Sequence, residues 1–257
     1  MSRNFELLQR AELESKQAAP RQTTVASAAD TQAVSPATIP CDARSRISTG
    51  DVGPEVFNLV QRLFLGPKDW TPRCVVFFSL GEESAGNSVC VRAAEALSVH
   101  STGTVCVVDA NFSAPTMHDL YSIENGIGFS EALVQTEPLE SYAHQVEGSN
   151  LTVIPAGRNP LAWNCALASE TARQRLADLR SRFDFILIQA RAKSTIGSDV
   201  MLGQLADGVV LVVEADETRR EVARNAIDEL VAANVRVLGT VLNNRRFPIP
   251  EKLYQAL

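Results

Sequence analysis

The stretch FFSLGEESAGNSV, residues 77–89, decides the fold of this chain. It joins an apolar, strand-like run to a helical pattern, and Gly81, Gly86 and Ser88 occupy defined positions of the phosphate-loop pattern G-x-x-x-x-G-K-[ST]. Asn87 stands where that pattern has lysine. In a working loop, backbone N–H groups and a helix N-terminus hold the phosphates, the lysine reaches the outer phosphates and the hydroxyl holds Mg²⁺. The sequence therefore predicts the frame of a phosphate loop without its cation.

Strand-like and helical patterns alternate around this loop. The strand-like runs lie at 74–78, 104–108, 151–154, 185–188, 208–213 and 235–242, and the helical patterns at 88–99, 169–183 and 217–233. Nearly continuous apolar runs indicate strands covered on both faces, and their alternation with helices indicates a parallel sheet. We predict an α/β fold with a doubly wound, mostly parallel sheet flanked by helices, of the phosphate-loop NTPase type. Ser169 is a predicted N-cap, and Pro54 and Gly66 bracket a further helix.

The chain divides into three predicted regions. Residues 1–16 have Phe5, Leu8 and Leu13 on one side of a short helical pattern, which is either a docking helix for a partner or a frayed tail. Residues 17–45 are rich in Ala, Thr, Gln, Ser and Pro without periodicity, which predicts a flexible linker. Residues 46–257 form the predicted NTPase-like domain.

Composition excludes several classes of protein. Apolar residues make up 45% of the 257 residues, which is ordinary for a globular protein. A net charge of −6 without a long basic run argues against nucleic acid as a partner. No apolar run is long enough to span a membrane, and the opening residues do not resemble a secretion signal. The five cysteines are scattered, and Cys74 and Cys106 fall in strand-like runs and are interpreted as core residues, which indicates a reduced, cytoplasmic protein.

Polar residues follow three predicted strands at the points where the strands end. In a doubly wound sheet, ligands bind outside the carboxyl ends of the strands. The first end carries the phosphate loop, the second carries Asp109 and Asn111, and the third carries Gln189 and Arg191. A phosphoryl-transfer site needs carboxylates at the second and third ends, for Mg²⁺ and for activating the attacking group. Here amides stand at Asn111 and Gln189.

Several motifs resemble one known family. They are VVDANFSAPTMH at 107–118, GFSEAL at 128–133, LTVIPAGRNP at 151–160, FDFILI at 183–188, SDVMLGQLADGVVLVV at 198–213 and VLGTVLN at 237–243. With the phosphate loop, they resemble the cytoplasmic tyrosine kinases of bacterial capsule and exopolysaccharide assembly, which are relatives of septum-placement and partition ATPases. The resemblance covers residues 54–244 and the opening SRNFELLQRAE.

The resemblance implies a nucleotide pocket, and the departures fall on its catalytic positions. The implied pocket residues are Gly81, Gly86, Asn87, Ser88, Asp109, Asn111, Gln189, Arg191 and Asn243. Asn111 and Gln189 replace the family's aspartates, and Ser113 and Ala114 replace its arginine pair. An assembly motif of the family, E-x-x-R-x-x-R, retains Glu55 but no arginine. The tyrosine-rich C-terminal cluster is reduced to Tyr254.

These losses predict a catalytically degenerate pseudokinase that regulates or scaffolds polysaccharide synthesis and export. We expect no bound cofactor and no metal, with Ser88 and Asp109 as vestiges of a metal site. The implied partner is a membrane-embedded polysaccharide chain-length or export protein, or a related active kinase, which would recruit this chain to the inner face of the membrane. Self-association into a homo-oligomer stays open.

Two alternatives remain at this stage. In the first, the chain is a residual ATP-binding tyrosine autokinase or ATPase that uses ATP and Mg²⁺, with Arg191, Lys193 or Arg92 in place of the lysine. In the second, it is a positioning protein of the partition type. The interpretations without catalysis are that Asn87 and Gln189 fill a collapsed pocket, that Asp109 is a cap or turn residue, and that Arg191 and Lys193 belong to a solvated loop.

Overall fold

The structure is a computed structural model that describes residues 36–40, 53–66, 70–81, 88–158, 167, 169–191 and 200–244. The predicted docking helix at 1–16 lies outside these residues, as does most of the predicted linker. Within the described part of the chain, no helix is long and apolar enough to cross a membrane.

Strands and helices alternate through the described residues. The strands are β1 (Ala37–Ile39), β2 (Cys74–Ser79), β3 (Val105–Asp109), β4 (His144–Val146), β5 (Leu151–Ile154), β6 (Phe185–Arg191), β7 (Gly208–Glu214) and β8 (Val237–Asn243). The helices are α1 (Pro54–Val60, extended by a wider turn over Gln61–Leu65), α2 (Val89–His100), α3 (Met117–Tyr121), α4 (Phe129–Ala132), α5 (Glu170–Arg182), α6 (Val200–Leu205) and α7 (Arg220–Ala232). A short 3₁₀ turn spans Leu139–Ser141. All six predicted strands are present, as are the four helices predicted within residues 54–233.

The strands form one sheet in the order β1-β4-β5-β3-β6-β2-β7-β8. Every neighbouring pair is parallel except β4 and β5, which are antiparallel. All residues of β2, β3 and β5 are buried, because helices cover both faces of the sheet. The predicted α/β class with a doubly wound, mostly parallel sheet is confirmed.

Two strands were not predicted from the sequence. β1 lies inside the predicted linker and pairs with β4, so this part of 17–45 belongs to the sheet. Its three residues are too few to show a period, and only Ile39 is buried. β4 is equally short and contains His144 and Gln145, which weaken an apolar signal.

Side chains on the two faces of β2 enter two separate hydrophobic clusters. Val75 and Phe77 pack with residues of α1 and α2, among them Val60 and Leu97. On the opposite face of β2, Cys74, Val76 and Phe78 pack in a cluster with residues of α5, α6 and α7. Complete burial of each such side chain stabilises the fold by about 1.5–3 kcal/mol. The carboxyl edge of the sheet is therefore held from both sides.

Serine hydroxyls begin two of the helices. Ser88 Oγ accepts the backbone N–H of Val91 at 3.4 Å, and Ser169 Oγ accepts that of Ala172 at 3.2 Å. Both bonds satisfy backbone donors that have no partner within the first turn of a helix. Ser169 is thus the N-cap that the sequence predicted, and Ser88 keeps this role at the end of the phosphate loop.

Candidate functional site

Three of the predicted strand ends meet at the carboxyl edge of the sheet. β6 lies between β2 and β3, so that Arg191 pairs with Ser79 and Gln189 pairs with Asp109. Ser88, at the start of α2, lies beside the same edge, because its hydroxyl reaches Gln189. The structure therefore brings together Ser88, Asp109 and Gln189, as the parallel topology predicts.

Gln189 connects the ends of two elements across this edge. Ser88 Oγ donates to Gln189 Oε1 at 3.0 Å, and Gln189 Nε2 donates to Thr116 Oγ1 at 3.4 Å. Ser88 is 1% exposed and Gln189 is 3% exposed. Buried polar groups are costly unless they are hydrogen-bonded, and here the side-chain amide supplies partners for two hydroxyls. The interpretation that Gln189 fills and bonds the pocket agrees with this geometry.

Asp109 is bound by the backbone of the segment that follows it. Its Oδ1 accepts the N–H of Asn111 at 2.9 Å, and its Oδ2 accepts those of Thr116 and Met117 at 3.0 and 3.1 Å. Burial raises the pKa of the Asp109 carboxyl, and the three backbone bonds act in the opposite direction. Asp109 is therefore a cap for the start of α3, as the interpretation without catalysis expects.

Asn111 closes the same segment on itself. Its Nδ2 donates to the carbonyl of Ala114 at 2.7 Å, and its Oδ1 accepts the N–H of Ala114 at 3.3 Å. Side chains of this type commonly bond to nearby backbone in turns. The amide thus has both of its polar ends engaged within the loop.

The described side chains at these positions do not fit Mg²⁺. The ion requires near-octahedral oxygen ligands, with carboxylates and phosphates as the usual protein and substrate donors. Both oxygens of Asp109 accept backbone hydrogen bonds, and the hydroxyl of Ser88 points at the amide of Gln189. Among the described residues, no three His, Cys, Asp or Glu side chains are grouped closely enough to hold a metal.

Arg191 and Arg92, two of the side chains considered as substitutes for the missing lysine, lie on different elements of the fold. Arg191 is the last residue of β6 and is half-buried, so it does not belong to a solvated loop. Arg92 extends toward α1, since its Nη2 lies 3.6 Å from the position of a side-chain carbon built on Gly53. Gly86, Asn87, Lys193 and Tyr254 lie outside the described residues.

Comparisons with known proteins show which proteins this chain is similar to. No protein-family model matches the chain. The tyrosine-protein kinase YwqD of Bacillus subtilis is 24% identical over 142 residues, which are 55% of this chain and 60% of YwqD. CapB of Staphylococcus aureus is 24% identical over 163 residues, 63% of this chain and 72% of CapB. The homologues of this chain are bacterial tyrosine kinases.

Solved structures agree with this relationship at the level of the fold. The chimeric protein CapA2B2 has a TM-score of 0.69 and 17% identity, and the superposition covers 92% of this chain and 99% of CapA2B2. A plasmid partition protein and the septum-site-determining protein MinD also share the fold. The chain is similar to bacterial tyrosine kinases and has the fold of the phosphate-loop ATPases.

Two stretches that carry the tyrosine-kinase resemblance contact each other beyond the end of β5. Glu131 Oε2 accepts the N–H of Gly128 and the hydroxyl of Ser130, both at 2.9 Å, and its Oε1 accepts the N–H of Arg158 at 3.1 Å. Gly157 has a φ of +86°, and a side-chain carbon there would overlap Glu131. GFSEAL and LTVIPAGR therefore form one structural unit that supports the edge of the sheet.

The described contacts of the His118 side chain are with its immediate neighbour in sequence. Its Nε2 lies 3.4 Å from Asp119 Oδ1, and its Nδ1 is buried without a hydrogen-bond partner among the described residues. A general base needs an oriented proton path to a reacting group. The described contacts of His118 supply none, in agreement with the structural role expected from the sequence.

Glu214 is a site residue that the sequence reasoning missed. It ends β7, is 2% exposed, and accepts hydrogen bonds from Asn243 Nδ2 at 2.8 Å and from Asn244 Nδ2 at 2.6 Å. A side-chain carbon on Gly81 would lie 2.6 Å from Glu214 Cγ. This carboxylate joins the predicted pocket residues Gly81 and Asn243. One signal could have found it: a single acidic residue ends the otherwise apolar run GVVLVVE.

Proposed function

We propose that this chain is a catalytically degenerate pseudokinase that regulates or scaffolds bacterial capsule or exopolysaccharide synthesis and export. The observation that carries the proposal is the bridge from Ser88 through Gln189 to Thr116. A neutral amide lies where a phosphoryl-transfer site needs a carboxylate, and it engages the hydroxyl that would hold the metal.

Electrostatics supports the loss of phosphoryl transfer. A unit charge pair separated by about 8 Å contributes about 2 kcal/mol at an effective dielectric constant of about 20. Asn87 removes one such attraction for a triphosphate, while Glu82 and Glu83 remain in the same loop of the sequence. The three backbone N–H groups that bind Asp109 compete with Mg²⁺ for its oxygens. Transition-state stabilisation in phosphoryl transfer depends on these same groups.

The proposed partner is a membrane-embedded polysaccharide chain-length or export protein, or an active kinase of the same type. The proposal rests on the relationship to bacterial tyrosine kinases and on a folded domain without a fitting metal site. Such a protein acts through its surfaces, from the cytoplasmic face of the membrane, and its partner recruits it there. Residues 1–16 are the proposed docking segment.

Calorimetry with ATP and ADP, with and without Mg²⁺, tests the proposal on the full chain. We expect no Mg²⁺-dependent binding at millimolar nucleotide and no phosphoryl transfer to protein or water. Ser88→Ala and Asp109→Asn are the matched variants, because they remove the two vestigial metal ligands. Mg²⁺-dependent ATP turnover that disappears in either variant would overturn the proposal.

A second candidate is a residual autokinase, favoured by the position of Arg191. Its Cα pairs with that of Ser79 at the end of β2, directly before the phosphate loop. Under this candidate, Arg191 replaces the lysine and Tyr254 accepts phosphate. Mass spectrometry after incubation with ATP and Mg²⁺ distinguishes the two: phosphate on Tyr254 that is lost in Arg191→Ala supports the autokinase, and unmodified Tyr254 supports the pseudokinase.

A further inference from the structure

β8 lies at one end of the sheet, and among the described residues no strand pairs with its outer edge. On the inner side, the carbonyl of Asn243 accepts the N–H of Ala215, which directly follows β7. The N–H and C=O of one strand residue point to the same side, and the side alternates from residue to residue, so that Val241 and Asn243 face β7. The N–H and C=O groups of Thr240 and Leu242 therefore point to the outer edge.

This outer edge lacks the features that normally keep strand edges apart. Natural edge strands are protected by short length, charged side chains or proline. β1, at the other end of the sheet, has three residues, whereas β8 has seven, and its sequence VLGTVLN contains neither a charged residue nor proline. Thr240 and Leu242 are both exposed, Leu242 by 54%. The edge is therefore a template for another strand.

A second copy of this chain matches the edge when the two β8 strands run antiparallel. The ladder with β7 is regular from Gly239 to Asn243, after a bulge at its start. A two-fold axis at Val241 places Thr240 of each copy opposite Leu242 of the other. Both residues point outward, so each such pair exchanges its two N–H···O bonds, and the same pairing brings a β-branched and an apolar side chain into contact.

Charge also favours contact between copies at this edge. The chain has a net charge of −6, so two copies repel one another over most approaches. Residues 237–243 are uncharged. The adjacent Arg236 is held at the start of the strand, where its guanidinium carbon lies 4.4 Å from the centroid of the Trp70 ring. Pairing over the regular part of β8 therefore places no like charges opposite each other within the ladder.

We propose that β8 is a self-association surface, through which two copies of this chain join their sheets edge to edge. Such an interface is isologous, since both copies contribute the same residues. A single strand pair buries less than the standard interface of about 1,600 Å², so we expect a weak dimer with a dissociation constant of about 1–100 µM. This surface is independent of the proposed function, because Thr240 and Leu242 lie outside the candidate site.

Sedimentation equilibrium of the full chain at about 1–200 µM measures the dissociation constant of the dimer. Leu242→Lys should raise that constant at least about tenfold, because it places a charge at the joint between the strands. Val99→Lys is the matched control: Val99 is 71% exposed on α2, a helix that packs on other strands, and its replacement should change the constant less than about twofold.

Thr240→Pro separates backbone pairing from side-chain packing. The N–H of Thr240 points away from β7, so proline at this position removes no bond of the existing ladder. Thr240→Val is its control, because valine keeps the backbone N–H and the β-branched shape. We expect Thr240→Pro to be monomeric and Thr240→Val to dimerise like the wild type, with the circular dichroism spectrum of the native fold in both.

Hydrogen–deuterium exchange of the full chain, resolved by residue, observes the edge directly. The amides of Val241 and Asn243 bond to β7 and should be protected at every protein concentration. Those of Thr240 and Leu242 should become protected only as the concentration rises through the dissociation constant.

Two results would contradict this proposal. One is a dimer that Leu242→Lys and Val99→Lys weaken equally, which would place the interface elsewhere. The other is a chain that stays monomeric over the whole range. In such a monomer, a protected Leu242 amide would assign the edge to another segment of the same chain, and a rapidly exchanging one would leave it to a different protein. Neither result affects the proposed function, which depends on ATP turnover.

Discussion

Replacement of Gln189 by alanine gives the most direct measure of the bridge at the centre of the candidate site. The substitution removes a side chain that is 3% exposed, together with its bonds to Ser88 at 3.0 Å and to Thr116 at 3.4 Å. Each bond contributes about 1 kcal/mol, the longer one less, and the unfilled volume costs about 1–2 kcal/mol more. We expect the free energy of unfolding to fall by about 2–4 kcal/mol.

Urea denaturation at 25 °C, followed by circular dichroism, measures this loss from the midpoint and the slope. Gln174→Ala is the matched control, because Gln174 also makes a side-chain bond, to Asp178 at 3.1 Å, on an exposed helix face. Surface changes of that kind usually stay within about 0.5 kcal/mol. If Gln189→Ala costs no more than Gln174→Ala, the pocket is open to water at Gln189 and the reasoning about a filled site is wrong.

Three further predictions concern the rest of the fold. Gly157→Ala should lower the free energy of unfolding by at least about 2 kcal/mol in thermal or urea melts, because the residue has φ +86° and its new carbon would overlap Glu131; a smaller loss would contradict the assigned contact. Burial opposes ionisation of Asp207, but hydrogen bonds from Arg180 and two backbone N–H groups hold its pKa below the ordinary value. The stability that this pair contributes is therefore present above about pH 4 and lost as pH falls through the folded-state pKa, and Asp207→Asn should flatten the acid limb of a stability–pH curve. Burial raises the pKa of Cys74 to about 12, so the Cys74 thiol should react with a maleimide at pH 8 only after denaturation. Rapid labelling of Cys74 in the native protein would show that β2 opens locally.

The central part of the fold could be predicted from the sequence because its signals are strong. Apolar runs marked every strand from Cys74 onward except β4, and hydroxyls at Ser88 and Ser169 marked helix starts that the structure confirms. β1 gave no such signal, since three residues with one buried side chain show no period. Its place in the sheet depends on pairing with β4, which is a long-range contact.

The candidate site could be predicted in part for the same reason. Parallel strand ends meet at one edge, so the sequence sufficed to bring Asp109 and Gln189 together. The partners of each side chain did not follow from the sequence, because they depend on the path of the chain between the strands. Glu214 was missed because its contact with Gly81 arises from the packing of neighbouring strands that are distant in sequence.

The hydrogen bonds around Gln189 have a consequence for any attempt to build a metal site at this edge of the sheet. Ser88, Gln189, Thr116 and Asp109 are joined in series, so the stability effects of changing them are coupled and not additive. An aspartate at position 189 alone would be one carbon shorter than glutamine and would lose the amide N–H that Thr116 accepts. Building a magnesium-binding edge here would therefore require concerted changes at several of these positions.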